Sequence, residues 1–260
     1  MHDAPSMLVP VLLTLAAGAS YLVLAIRQHA GPRGWSLWRI ALFLTGCGLL
    51  ILGLSPRALP YAEGDFRRHM LQHLLLAMGA PIGLVMAAPV TLLLRTLPSR
   101  YGRVVTATLR TPVLQAITHP VVALVLDLGG MAGLYFTALY TAMMQHPVLH
   151  YAVHFHFIAA GCLYTWVIAG PDPAPHRPSV PVRLAVLGAA VVIHSVLSQL
   201  LYAGWHFRVA TSVLQRHGAA ELMYYGGDIT EMLLAFAMVS TWHPRQASPA
   251  QASKACAVSV

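Results

Sequence analysis

Histidines spaced four residues apart open one apolar segment of this 260-residue chain. His146, His150 and His154 lie within the sequence HPVLHYAVHFHF, residues 146–157. On an α-helix, residues four apart share one face, so the three imidazoles are predicted to form a stripe. Imidazole nitrogens bind copper, zinc and iron, and polar side chains within membrane helices usually have a function. The pattern therefore predicts a metal site where this helix begins.

Two further apolar segments carry polar groups that suit such a site. His69 and His73 are again four residues apart, a recurrent chelate because both imidazoles can reach one ion. Asp228 and Glu231 share one face of the last apolar segment, where ionised carboxylates need a partner. Histidines or a bound cation are the available partners. The alternative is a hydrogen-bond network between helices that holds no ligand.

Other polar or soft side chains have less certain roles. A lone buried histidine such as His194 is more often a hydrogen-bonded packing residue than a ligand. Asp127 suits either a proton relay or packing, and the sequence leaves that choice open. Thioether sulfur selects Cu(I), and Met70 and Met143 lie beside the histidine segments, although methionine is also ordinary packing material.

The composition is that of a membrane protein. Of the residues, 57% are hydrophobic and 9% are charged, with a mean hydropathy of +0.66, whereas soluble domains carry about a quarter charged residues. Apolar runs long enough to cross a bilayer recur. They predict an all-α, polytopic integral membrane bundle of about seven transmembrane helices, at 7–26, 38–56, 69–94, 113–137, 148–169, 183–203 and 221–241.

The basic residues predict the orientation of this bundle. Eleven Lys and Arg residues fall on one side of the predicted spans and five on the other. The positive-inside rule then puts the N-terminus outside and the histidine segments in the outer half of the membrane. Residues 1–244 are expected to form the transmembrane domain and residues 245–260 a disordered cytoplasmic tail. Because the arginines lie in short loops, the net charge of +8 reflects topology and no nucleic-acid binding is expected.

Four segments resemble a known family, the CtaG-like assembly factors of bacterial caa-type cytochrome c oxidases. They are HMLQHLLLAMGAPIGLVMAAPVTLLLR (69–95), HPVVALVLDLGGMAGLYFTALY (119–140), HPVLHYAVHFHFIAAGCLYTWVIAGPDP (146–173) and ELMYYGGDITEMLLAF (221–236). The resemblance extends from about residue 38 to residue 242. Asp127 stands where the family pattern predicts an apolar residue.

The resemblance implies a non-enzymatic, multi-pass protein of the bacterial plasma membrane that meets oxidase subunits while an active haem-copper oxidase is made. The positions that it marks as a metal site are His69, His73, His146, His150, His154, Asp228 and Glu231.

The leading hypothesis is an assembly factor that binds copper on the outer side and hands it to an oxidase subunit. His73, His150 and His154 would be ligands, with Asp228 and Glu231 orienting the imidazoles. One alternative is a metal-ion or proton-coupled transporter, and another is a membrane oxidoreductase that holds haem between the third and fifth helices. The third and fifth segments become apolar after their histidines, which favours a local site over a path across the membrane. The oligomeric state is not predicted.

Overall fold

The computed structural model describes residues 4–31, 34–175 and 177–241, and within these ranges every regular element is a helix. The all-α prediction is therefore confirmed. The α-helices are α1 Ala4–His29, α2 Leu37–Leu54, α3 Phe66–His73, α4 Ala80–Met86, α5 Pro89–Thr96, α6 Ser99–Leu109, α7 Pro112–Ile117, α8 Pro120–Phe136, α9 Leu139–Gln145, α10 Pro147–Ile168, α11 Val180–Ala203 and α12 Val213–Ser240. A 3₁₀ turn spans Pro56–Ala58, and a π-helical turn, Leu74–Gly79, joins α3 to α4.

Several of these helices are long and apolar enough to cross a bilayer, which makes the chain a multi-pass membrane protein. In the described part of the chain five spans meet this description: Leu8–His29, Leu37–Leu54, Phe66–Thr96, Pro147–Ile168 and Val180–Ala203. The pair α8 and α9, bent by 79°, would make a sixth. The seven predicted spans are thus not confirmed, because at most six segments of the described residues qualify and α12, which carries three carboxylates, is not among them.

Two further expectations about the chain's ends stay predictions. The outside position of the N-terminus is one of them. The other is the tail at residues 245–260, which lies outside the described residues together with the predicted domain boundary at residue 244.

The third apolar segment is interrupted where its prolines indicate. Pro81 has no N–H to donate and its ring crowds the carbonyl four residues earlier, at Ala77. The wider π-helical turn lies just ahead of this proline. Further on, Ala88 adopts a left-handed conformation, with φ of 56°, and Pro89 then begins α5. The regular α-helix is therefore interrupted twice within the candidate span Phe66–Thr96, at the π-helical turn and at Ala88.

Helix α10 crosses this π-helical turn at very close range. Gly161 lies directly against the carbonyl oxygen of Ala77, and an added Cβ would overlap that oxygen and approach Cγ of Pro81 to 3.0 Å. Only glycine lets the two backbones meet so closely. The contact places the beginning of α10 beside α3, which carries the other histidine pair.

The remaining helices complete the surroundings of the histidine segments. Helix α12 packs against α11 and α3 and touches the π-helical turn, while α10 packs against α8, α4 and α12. The third, fifth and seventh apolar segments therefore adjoin, as a shared site requires.

At its other end α10 is joined to α5 by one carboxylate. Asp172, which is buried, accepts hydrogen bonds from the backbone N–H groups of Val90 (3.0 Å) and Thr91 (2.7 Å) and from the Thr91 hydroxyl (2.6 Å). These groups are unpaired donors at the first turn of α5, so the carboxylate caps that helix from a distant part of the chain. Arg177 donates to the carbonyl oxygens of Gly170 and Asp172, which orders the same loop.

Replacing Gly161 by alanine tests the close crossing. We expect Gly161→Ala to lower the unfolding free energy by about 1–3 kcal/mol, because the new Cβ has to push backbone apart. Thermal unfolding in detergent measures this. The matched control is Gly188→Ala on α11, where an added Cβ meets nothing within 4 Å and helix propensity favours alanine. Equal melting temperatures for the two variants would contradict the role given to Gly161.

Replacing Asp172 tests the three hydrogen bonds that join the loop after α10 to the first turn of α5, which we call the Asp172 clasp. Asp172→Ala leaves three donors unpaired and is expected to cost about 2–4 kcal/mol of unfolding free energy. Asp172→Asn keeps one oxygen acceptor and should cost less, and Thr91→Val should cost less again because one bond is lost. A denaturant titration in detergent that ranked these variants in any other order would show that the clasp is not what stabilises this end.

Candidate functional site

Four of the predicted histidines come together where α3 and α10 begin. His69, His73 and His154 line one small cavity of about 10 Å³, whose other walls are Leu76, Val153 and Phe157. The His150 ring lies beside that of His154, with 4.3 Å between the centroids. We call His69, His73, His150 and His154 the histidine cluster. Sequence spacing predicted each pair, and the packing of α10 on α3 joins the pairs.

The imidazoles of this cluster are shielded from solvent. His73, His150 and His154 are each less than 9% exposed. Nε2 of His69 and Nδ1 of His73 are buried and make no hydrogen bond to the described residues. A buried nitrogen without a partner costs about 1–3 kcal/mol, so a ligand that satisfied it would recover that energy.

Aromatic rings enclose the two histidines of α3. Phe157 meets the His73 ring edge-on at 4.6 Å, and Tyr140 meets the His69 ring at 5.0 Å in the same way. Behind them the hydroxyl of Tyr135 lies 4.0 Å from the sulfur of buried Met70. This wall keeps water out of the cluster and leaves a soft thioether next to it in the chain.

Two other histidines of the same segment, one just before α10 and one within it, do not line the cavity. His146 is exposed and occupies the position before the first residue of α10, with no capping bond from its side chain. It therefore stands at the entrance to the stripe and does not line the cavity. The His156 ring nitrogen is 3.1 Å from the carbonyl oxygen of Leu126 on α8, which is a packing contact.

The histidine cluster is not arranged as a finished metal site. Among residues 4–31, 34–175 and 177–241, no three His, Cys, Asp or Glu side chains are placed to hold one ion. A metal ion held by only two ligands would not require three such side chains. A metal ion held by three ligands would require one of the side chains to rotate.

The two predicted carboxylates lie next to a histidine that sequence reasoning left as a packing residue. Glu231 Oε1 is 3.9 Å from Nδ1 of His194, and both side chains are at most 5% exposed. His194 can lie so close to α12 because Gly227 faces its ring; any Cβ there would overlap the imidazole. Asp228 interacts electrostatically with both groups. The i, i+3 pattern places Asp228 and Glu231 on one face of α12 but could not show that Glu231 faces His194.

A second cavity opens on the other side of Glu231. Its volume is about 30 Å³, and its polar lining is Asp127, Tyr164, Thr165, Thr230 and Glu231, with Met78 beside them. We call it the carboxylate cavity. Along α10 the lining of this cavity begins at Gly161, one turn beyond Phe157 of the histidine cavity, and Ala77 directly follows Leu76. The two cavities are therefore neighbours, with the carboxylate cavity deeper in the bundle. His194, which contacts Glu231, is also an electrostatic neighbour of His73.

The turn that leads into α3 is held by an ion pair at the edge of the third candidate span, between Asp65, just outside it, and Arg67. Asp65 caps the helix by accepting from the Arg67 backbone N–H (2.8 Å), and the Arg67 guanidinium donates to both carboxylate oxygens, at 2.6 Å for the shorter bond. The hydrogen bonds from Arg67 hold the pKa of the Asp65 carboxyl below its ordinary value. This cap positions the first turn of the helix that carries His69 and His73.

Comparison with known proteins identifies relatives of the chain. A family model described as cytochrome c oxidase caa3 assembly factor matches residues 19–245. Uncharacterized proteins of Mycobacterium bovis and Mycobacterium tuberculosis are each 34% identical over 192 residues, which is 68% of this chain and 29% of theirs. One of Mycobacterium leprae is 29% identical over 188 residues, 70% of this chain and 28% of its own. The chain thus spans less than a third of the length of these relatives. No solved structure matches it.

The Asp65 cap predicts a pH dependence. Because its pKa is lower in the folded protein than in the unfolded chain, Asp65 contributes stability above about pH 4–5, which is lost as pH falls through the lowered pKa. Asp65→Asn should therefore flatten the part of the melting-temperature curve between about pH 5 and pH 3. The exposed carboxylate of Glu63 provides the control, Glu63→Gln. If Asp65→Asn followed the wild-type curve over that range, the ion pair would not be the source of acid sensitivity.

Proposed function

Because the chain belongs to the family of cytochrome c oxidase caa3 assembly factors, we propose that it holds copper at the histidine cluster and delivers it to a copper centre of the oxidase. Membership supports the general role, which is assembly of the oxidase rather than catalysis. The copper step is supported by the cluster. On this proposal the protein works in the bacterial plasma membrane, and its partners are oxidase subunits.

The observation that carries the copper proposal is the shared cavity. Three imidazoles from two helices line it, and two of their buried nitrogens make no hydrogen bond to the described residues. Its volume of about 10 Å³ is close to the least that holds one water-sized particle. Nitrogen ligands inside an aromatic wall suit a single transition-metal ion, which would satisfy the unpaired nitrogens.

Copper fits this environment better than zinc. Structural zinc sites are closed and four-coordinate, whereas Cu(I) is stable with two or three soft or borderline ligands. The cluster offers neutral imidazoles, with the thioether of Met70 next to His69 in the chain. The carboxylates, which a divalent ion would favour, do not line this cavity but the next one, deeper in the bundle.

The position of the cluster suits transfer. His146 is exposed, and His150 and His154 follow it at one and two helical turns. At about 1.5 Å per residue, the stripe reaches about 12 Å from the exposed end of α10 into the buried cavity. A metal ion could therefore pass from one imidazole to the next without losing all of its ligands. Exchange with a partner protein could begin at His146.

One observation favours a transporter as a second candidate. Polar groups do not stop at His73 and His154, since His194, Glu231 and Asp127 continue inward. The rest of the carboxylate cavity is apolar, however, with Ile82, Leu128 and Leu234 among its walls. This favours a series of polar groups that stops inside the bundle over a path that crosses the membrane. Copper or zinc flux into sealed vesicles containing the purified protein would reverse the ranking.

The copper proposal is tested by metal content and affinity. Purified protein loaded with Cu(I) under anaerobic conditions should retain about one copper per chain after gel filtration, measured by elemental analysis with zinc and iron in the same run. The double variant His150→Ala with His154→Ala should bind Cu(I) at least about tenfold more weakly in competition with a chelator, since even groups that only orient ligands contribute that much.

His119→Ala is the matched control, because His119 is exposed at the beginning of α8 and makes no capping bond. It should bind copper like the wild type. Wild-type protein without copper above background, or a double variant that binds as tightly as the control, would refute the proposal. A Soret band in the purified protein would instead favour haem.

A further inference from the structure

The carboxylate cavity brings two acidic side chains of different helices to one buried space. Asp127 comes from α8 and Glu231 from α12, and both line the cavity of about 30 Å³. Among the described residues the ion pairs are Arg67 with Asp65 and His194 with Glu231. No Lys or Arg in that part of the chain therefore compensates either carboxylate. Two carboxylates facing one apolar-walled space need positive charge from elsewhere.

The polar atoms around this space also lack partners. Oε2 of Glu231 and the hydroxyl of Tyr164 are buried and make no hydrogen bond within the described residues. Glu231 is 5% exposed and Tyr164 is 6% exposed. Buried polar atoms are nearly always satisfied, by protein, water or an ion, so these two indicate that the cavity has an occupant.

We propose that the carboxylate cavity binds a divalent cation through oxygen ligands, chiefly the carboxylates of Asp127 and Glu231 and the hydroxyl of Tyr164. Thr165 and Thr230 also line the cavity and bring the donor set to five oxygen-bearing side chains. Such a set suits Ca²⁺ or Mn²⁺ rather than copper, which prefers nitrogen and sulfur. Two negative charges match one divalent ion and leave the site neutral.

The size of the cavity narrows the choice of ion. A volume of about 30 Å³ is two to three times the roughly 10–15 Å³ that one water-sized particle needs, so an ion can keep at most one or two waters there and has to shed most of its hydration shell. Mg²⁺ dehydrates reluctantly and usually keeps several waters, whereas Ca²⁺ and Mn²⁺ accept protein oxygens more readily. The sulfur of Met78 accepts a hydrogen bond from the Thr230 hydroxyl, at 3.6 Å, and is not needed as a ligand.

This site is separate from the histidine cluster. Glu231 presents Oε1 to His194, whereas Oε2 is the oxygen without a partner. Cation binding at Oε2 therefore leaves the contact with His194 in place. The two sites differ in donor chemistry and their cavities have no lining residue in common, so the failure of one proposal does not imply the failure of the other.

Manganese is the probe for the test. Full-length protein in detergent, free of other divalent ions, is titrated with MnCl₂, and the six-line electron paramagnetic resonance signal reports unbound Mn²⁺. The wild type should remove one Mn²⁺ per chain, Ca²⁺ should compete for it, and Mn²⁺ should raise the melting temperature. Asp127→Asn and Glu231→Gln should each weaken binding at least tenfold and abolish the thermal shift.

The amide variants also control for loss of the fold. Without a cation they should melt at or above the wild-type temperature, so weaker Mn²⁺ binding could not be attributed to misfolding. Glu221→Gln is the matched control, since Glu221 is an exposed carboxylate of the same helix. Mn²⁺ that stays unbound with the wild type would show that protons or water satisfy the carboxylates, and it would overturn the proposal. So would binding that survives both amide variants but is lost with His150→Ala and His154→Ala, because the ion would then lie in the histidine cluster.

Discussion

The contact between Gly161 and the carbonyl of Ala77 governs how the interior of this bundle is divided. It exists because Pro81 cannot continue an ordinary helix, and the π-helical turn ahead of it offers a carbonyl that a glycine can meet. Gly161 and Ala77 are themselves part of the wall of the carboxylate cavity. On the N-terminal side of the crossing, α3 and α10 bring their histidines together. One backbone contact therefore sets the spacing of both candidate sites.

Several polar atoms of the interior share a second property, which is that no atom of the described residues hydrogen-bonds to them. In water an unpaired imidazole nitrogen or carboxylate oxygen is solvated, but inside an apolar bundle it costs about 1–3 kcal/mol or more. Nε2 of His69, Nδ1 of His73 and Oε2 of Glu231 are all in this position. A protein that needed only stability would replace them with apolar side chains. Their concentration on α3 and α12 is the strongest structural indication of ligands.

Sequence reasoning predicted the parts that depend on local periodicity. The all-helical class, the histidine pairs on α3 and α10 and the acidic face of α12 follow from spacing, and the structure brings the three segments together. Sequence spacing could not predict how deep each side chain lies in the bundle, because the π-helical turn and the bend after α8 interrupt the regular helical rise. Glu231 was expected to orient the imidazoles of the histidine cluster, but it lies against His194. Asp172 was missed for another reason, since its partners at the start of α5 are about eighty residues away.

Glu231 lines one candidate site and lies close to the other, and electrostatics determines how cations bound at both would affect each other. Two unit charges about 10–15 Å apart interact by about 1–2 kcal/mol at an effective dielectric constant of 20. A divalent cation alone in the carboxylate cavity would thus weaken Cu(I) binding at the histidine cluster by about 2–3 kcal/mol. When the divalent cation is bound by the carboxylates of Asp127 and Glu231, the three charges form a neutral group. The repulsion between this cation and Cu(I) then largely cancels. On the two proposals taken together, the carboxylates would allow a deeper cation to stabilise the bundle without reducing the affinity of the imidazoles for copper.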